Sequence, residues 1–142
     1  MNYSRIGLAA IAGAIVFFIC GFLIFGLLIA HDYAPFPGVY RPPQAMQGNA
    51  PIGIVCSFVA ILVMSIIYAK GYEGGRGLPE GARFGTLIGL FLAFKCAAEE
   101  YVTLNIGGKL AAEMAAGVLV EMVIVGMVIG LVYKPSNRAQ AR

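Results

Sequence analysis

Five ionisable residues, Lys95, Glu99, Glu100, Glu113 and Glu121, stand inside stretches that are otherwise apolar. An isolated charge at the centre of a bilayer costs roughly 2.5–3.5 kcal/mol even on the mildest scale, so such groups pair, hold a proton or take up a cation. Lys95 and Glu99 are four residues apart and can pair along one helix. Glu113, Gly117 and Glu121 share one helical face at the same spacing. Folding the two stretches antiparallel through a short turn at Ile106–Gly108 would put Glu99 and Glu100 level with about Glu113, and Lys95 within a turn of Glu121. Four carboxyls would then face one ammonium. Lys95 can neutralise Glu99 or Glu121 while the other carboxyls stay protonated, a bound cation or watery pocket can compensate them, or another subunit can supply basic residues. The first outcome is a polar staple between helices; the second marks a proton or cation pathway.

Other chemistry is sparse. His31 is the single histidine and offers at most one axial ligand to a haem or chlorophyll-type macrocycle. Cys20, Cys56 and Cys96 are odd in number and lack a C-x-x-C spacing, which argues against a disulfide framework or a metal centre and reads as small buried hydrophobes. No Ser/His/Asp, Cys/His or multi-histidine set can be built from these residues, so no catalytic site and no enzymatic activity are expected. The loop KGYEGGRGLPE at Lys70–Glu80 is glycine-rich, but its spacing fits neither phosphate-binding pattern and no strand precedes it. Pro79 and Glu80 suit the first turn of the helix that follows.

The elements that must position these groups follow from composition. Sixty per cent of the 142 residues are hydrophobic and 12% charged, and the mean hydropathy is +0.85, values outside soluble globular usage. A membrane span needs about 20 mostly apolar residues, and Ile6–Ala30, Pro51–Ala69, Phe84–Leu104 and Leu110–Tyr133 each supply them. The expected fold is all-α, a single domain of four transmembrane helices in an antiparallel bundle. The first apolar run is too long for a cleaved signal and reads as a retained anchor. If the N-terminus is cytoplasmic, Arg5, Lys70, Arg76, Arg83, Lys134, Arg138 and Arg142 fall inside and Arg41 and Lys109 outside, which favours both termini in the cytoplasm. The net charge of +3 is thus a topology signal, and no nucleic-acid partner is expected. Between the first two spans, Pro35, Pro37, Pro42 and Pro43 predict a stiff, non-helical connector, with Tyr33, Phe36 and Tyr40 at headgroup depth. It serves either as a plain connector or as a docking surface.

The third span carries a second pattern. Gly81, Gly85, Gly89 and Ala93 repeat at four-residue spacing on one face, opposite Phe84, Leu87, Phe91 and Phe94. Small residues at this spacing let helix backbones approach and pack where no hydrophobic driving force exists. The stripe therefore predicts helix packing, either within the chain or with a second one.

Four spans, a proline-interrupted outer loop, a glycine-rich inner loop and the run LPEGARFGTLIGL at Leu78–Leu90 resemble small bacterial inner-membrane proteins grouped as a domain of unknown function. The resemblance covers the chain in outline, implies a multi-pass place in the bacterial inner membrane, and carries no catalytic residue across. Small multidrug exporters are similar in size but place a glutamate in the first span, which has none here; four-span glutathione-using enzymes carry a polar pattern absent from Pro51–Ala69. The expected function is that of a non-enzymatic membrane protein assembling with itself or as an accessory subunit of a larger complex. The alternative is a small proton- or cation-coupled transporter or channel using the Lys/Glu residues. Lipids are expected partners, and the sequence requires no cofactor.

Overall fold

In the computed structural model, which describes residues 2–133, four long helices follow one another. They are α1 (Tyr3–Gly21), α2 (Pro43–Lys70), α3 (Gly77–Thr103) and α4 (Gly108–Val132). A π-helical segment, Phe22–Leu28, continues α1, and a 3-10 turn follows at Ala30–Tyr33. With that extension the four candidate spans contain 26, 27, 27 and 25 residues. At 1.5 Å per residue each reaches roughly 37–41 Å, more than the hydrocarbon thickness of about 30 Å. The fold is therefore all-α, with four helices long and apolar enough to cross a membrane. Lys134, Arg138 and Arg142, on which the orientation count leans, lie outside the described residues.

The helices begin earlier than their apolar runs do. The connector after the first span is shorter than predicted because α2 starts at Pro43 rather than Pro51. Pro42 is the N-cap and Pro43 the first helical residue, where a missing N–H costs nothing. Pro51 is then inside the helix, where it removes one backbone hydrogen bond, a loss that exposed or membrane helices tolerate. Pro43–Ala50 adds two polar turns, PQAMQGNA, to the apolar run. α3 likewise starts at Gly77, ahead of Phe84.

Helices α1 and α4 are the inner pair, with α2 packed on α1 and α3 on α4. The α3–α4 contact is the closest because glycines face each other across it. A Cβ built on Gly77, Gly81 or Gly85 would strike the backbone carbonyl of Gly130, Gly126 or Met122, respectively. The predicted small face is thus filled by α4 of the same chain. The main core joins all four helices through Ile6, Ala9 and Ala14 of α1, Ile61 and Met64 of α2, Met122, Val125 and Ile129 of α4, and Phe84 and Ile88 of α3. At one end Tyr68, Tyr72, Phe84 and Tyr133 pack their rings edge-on or tilted, at centroid separations of 5.3–6.1 Å.

At the other end the connector folds over the α3–α4 turn. Tyr33, Phe36, Val39 and Tyr40 pack on Ile106, Leu110 and Ala111, and the Tyr33 and Tyr40 rings meet at 4.8 Å. The aromatics placed at headgroup depth from sequence therefore build a small second core. Burial pushes both tyrosine hydroxyls above their ordinary pKa, and the nearby Glu100 adds to the effect. None of the three cysteines is buried, contrary to the sequence expectation: Cys56 is exposed, and Cys20 and Cys96 are half-buried. Cys56 sits on the N-terminal half of α2, where the residues from Gln44 to Cys56 are all exposed.

Candidate functional site

The five ionisable residues do not form one cluster. Lys95 and Glu99 pair with each other at 2.9 Å on an exposed face of α3, with side chains 52% and 63% exposed. Glu100 is half-buried on the side facing the tyrosines of the connector. Glu113 joins Lys109 at 3.3 Å. Glu121 stands by itself in the interior.

The reason is helix register. The α3–α4 contact sets Gly85 against Met122 and Gly89 against Leu119, and Ala97 and Ala98 line a common groove with Ala111 and Ala112. Carried along the helices, this offset puts Lys95 level with about Glu113 and two turns from Glu121. The turn between the two helices is Leu104–Gly107 rather than Ile106–Gly108, with Leu104 extended (φ −105°, ψ 141°). Lys95 also faces away from α4, so it cannot reach either carboxyl there.

What the fold does assemble lies between the first span and α4. These two elements run antiparallel, with Gly13 against Ile129 and Gly21 against Glu121. The same register brings Asp32 to the start of α4, where it accepts a hydrogen bond from Lys109 at 2.7 Å. His31 Nε2 lies 3.1 Å from the other Asp32 oxygen, an ion pair when the imidazole is protonated. Lys109 thus bridges Asp32 and Glu113, and its hydrogen bond is the main reason the Asp32 carboxyl falls below the ordinary range, opposed by desolvation and helped by His31. His31, the candidate axial ligand, is 75% exposed and engaged with Asp32. Among the described residues no group of three or more His, Cys, Asp and Glu side chains could hold a metal ion.

From this charged rim a groove of about 380 Å³ runs inward, walled by Ile24, Leu28, Ala116 and Val120. Gly117 also lines it, and a Cβ there would lie 2.8 Å from Ile24 and 3.1 Å from the Phe25 ring. Both of those residues belong to the π-helical segment, whose wider turn is closed by Ile29 N–H donating to the Ile24 carbonyl at 3.0 Å. Such segments are uncommon and gather at functional sites. One turn deeper than Gly117 is Glu121, 3% exposed, with its Oε1 buried and unpartnered among the described residues. A Cβ on Gly21 would sit 2.9 Å from that oxygen. Glu113 Oε2 is also buried without a partner among the described residues. Two carboxyls about 12 Å apart on one helix face are therefore separated by a glycine on which two apolar side chains rest.

Sequence reasoning found Glu113, Gly117 and Glu121 as one face but missed three of their neighbours. Asp32 and Lys109 were readable only as loop charges, since nothing local pairs residues 77 positions apart. Gly21 carried no signal beyond its smallness. Gly126 and Gly130, the α4 partners of the glycine stripe, were visible in the sequence as a small-xxx-small pair.

Comparison with curated proteins gives no match, and comparison with solved structures gives none either. One protein-family model does match, over residues 8–130, from within α1 to the last turn of α4. The chain accordingly belongs to the family described as protein of unknown function (DUF1761).

Proposed function

We propose that the protein is a small, non-enzymatic integral membrane transporter or channel that moves a proton or another small cation by way of Glu121. The observation that carries this reading is the carboxyl of Glu121, 3% exposed at the middle of α4, with one oxygen unpartnered and no ion pair to it among the described residues. A buried carboxyl without a counter-charge is costly to keep, and in membrane segments such groups by default serve ion or proton pathways. The charged rim at His31, Asp32, Lys109 and Glu113 gives the groove a polar mouth, while Ile24 and Phe25 on Gly117 close the route to Glu121. Lys95, Glu99 and Glu100 have no part in this path. The chain is read as resident in a bacterial inner membrane with both ends cytoplasmic, following the lysine and arginine distribution and the family resemblance.

A carbodiimide attaches to a protonated carboxyl in an apolar site and tests the reading directly. Labelling of Glu121 in proteoliposomes should rise in step with loss of ion flux. Unchanged flux from fully labelled protein would sink the reading.

A second reading, assembly with another copy or a larger membrane complex, is supported by the outer half of α2. Residues from Gln44 to Cys56 are exposed all round, including Gln44, Gln47 and Asn49. Polar side chains on a membrane helix commonly find partners on a neighbour. Mass measurement in mild detergent tests it: a strictly monomeric protein with no co-purifying subunit would exclude it.

A further inference from the structure

At the end of the bundle opposite the charged rim, residues of α2, the loop after it and α3 line a cleft of about 210 Å³. Its lining changes character with depth. Glu73, Glu80 and Arg83 stand toward the helix ends, and Ile67 and Leu87 lie toward the bundle's middle, with Tyr68 and Phe84 between. Tyr68 is 2% exposed, yet its hydroxyl has no hydrogen-bond partner among the described residues. Burying a hydroxyl without a partner is unfavourable, so the group calls for an acceptor that the described residues do not provide.

The charged groups at the mouth are not equivalent. Glu80 is already committed: its two oxygens accept from the backbone N–H groups of Glu73 at 2.7 Å and Gly75 at 2.9 Å, which folds the loop, with Gly74 at φ +86°, back onto the start of α3. Glu73 and Arg83 are 3.8 Å apart with side chains 70% and 76% exposed, a loose pair that leaves both groups able to bind elsewhere. One acidic and one basic side chain thus stand at one end of a cleft that Tyr68 also lines, and the other end is apolar and open sideways. Ile67 and Leu87 are 48% and 68% exposed.

We infer that this cleft is a binding site for one phospholipid with a primary-amine zwitterionic headgroup, of the phosphatidylethanolamine type. Arg83 takes the phosphate, Glu73 takes the ammonium, the Tyr68 hydroxyl donates to the phosphate or to a glycerol-ester carbonyl, and an acyl chain runs down Ile67 and Leu87. The order of groups along the cleft is the order along such a lipid. An anionic lipid would satisfy Arg83 but meet the carboxylate of Glu73. A choline headgroup has no N–H to donate to Glu73. The site is independent of Glu121 and of the transport reading.

The test is native mass spectrometry of the full-length protein released from nanodiscs containing equal parts of phosphatidylethanolamine, phosphatidylcholine and phosphatidylglycerol. The wild type is expected to retain the ethanolamine lipid over the choline lipid by about two- to fivefold, the range of exposed ion pairs. Glu73→Gln should erase that preference, Arg83→Gln should weaken retention of both, and Tyr68→Phe should weaken retention while the lipid-free protein melts at an unchanged or higher temperature. Equal retention of all three lipids, a preference for phosphatidylglycerol, or retention indifferent to Glu73→Gln and Arg83→Gln would each overturn the assignment.

Discussion

Gly21 on the first span faces Glu121 on α4 so closely that a Cβ there would lie 2.9 Å from the Glu121 Oε1. The glycine gives the carboxyl its space. Because the atom it would meet is the end of a flexible side chain, Gly21→Ala is expected to cost little stability, under about 1 kcal/mol. It should nevertheless displace the carboxyl and lower any flux that depends on it. Unfolding and flux measured on the same variant check this: a large loss of stability, or unaltered flux, would be the wrong outcome.

The α3–α4 contact behaves oppositely. At Gly81 and Gly126 the atoms in the way are backbone, with Gly85 Cα 2.6 Å from a Cβ on Gly126. Gly81→Ala and Gly126→Ala are expected to destabilise by about 1–3 kcal/mol or more, since neither helix can yield locally. Gly7→Ala is the control, because a Cβ there meets nothing within 4 Å and alanine favours the helix. Detergent-denaturation midpoints should fall for the first two and hold or rise for the third.

These two contacts show how far the sequence could be read. The stripe Gly81, Gly85, Gly89 and Ala93 was legible because four-residue spacing is a local property of one helix. Its partner was not, because the choice between α4 and a second chain depends on how two helices meet, which no spacing within one helix records. The Lys/Glu cluster failed for the same reason: a few residues of offset separate Lys95 from Glu121. The four spans were legible from composition. Their true starts at Pro43 and Gly77 were not, since helix caps and polar first turns lie beyond the apolar signal.

The ion pair of Lys95 and Glu99 is exposed and within one helix. Pairs of this kind stabilise by about 0.3–0.5 kcal/mol. Lys95→Gln or Glu99→Gln is therefore expected to leave both stability and flux close to wild type, whereas a strong loss of flux would return these residues to the pathway.

Asp32 sets a pH dependence. Its carboxyl lies below the ordinary value mainly because Lys109 donates to it, so the native state binds its proton less readily than the unfolded chain does. The stabilisation is complete above about pH 4, the ordinary aspartate value, and is lost as the pH falls through the depressed native value. Melting temperature should drop below pH 4 in the wild type, and Asp32→Asn should flatten that part of the profile. His31, Lys109 and Glu113 surround the group, and a profile identical in Asp32→Asn would show that Asp32 does not set the acid sensitivity.

The central claim is that Glu121 carries the ion. Proteoliposomes holding purified protein and an internal pH dye, given an imposed pH gradient and then a membrane potential, measure it most directly. The wild type is expected to pass protons, or a cation exchanged for them, above protein-free vesicles. Glu121→Gln, which keeps the shape of the side chain and removes its charge, is expected to fall to the protein-free rate while remaining folded. Equal flux from wild type and Glu121→Gln would contradict the account.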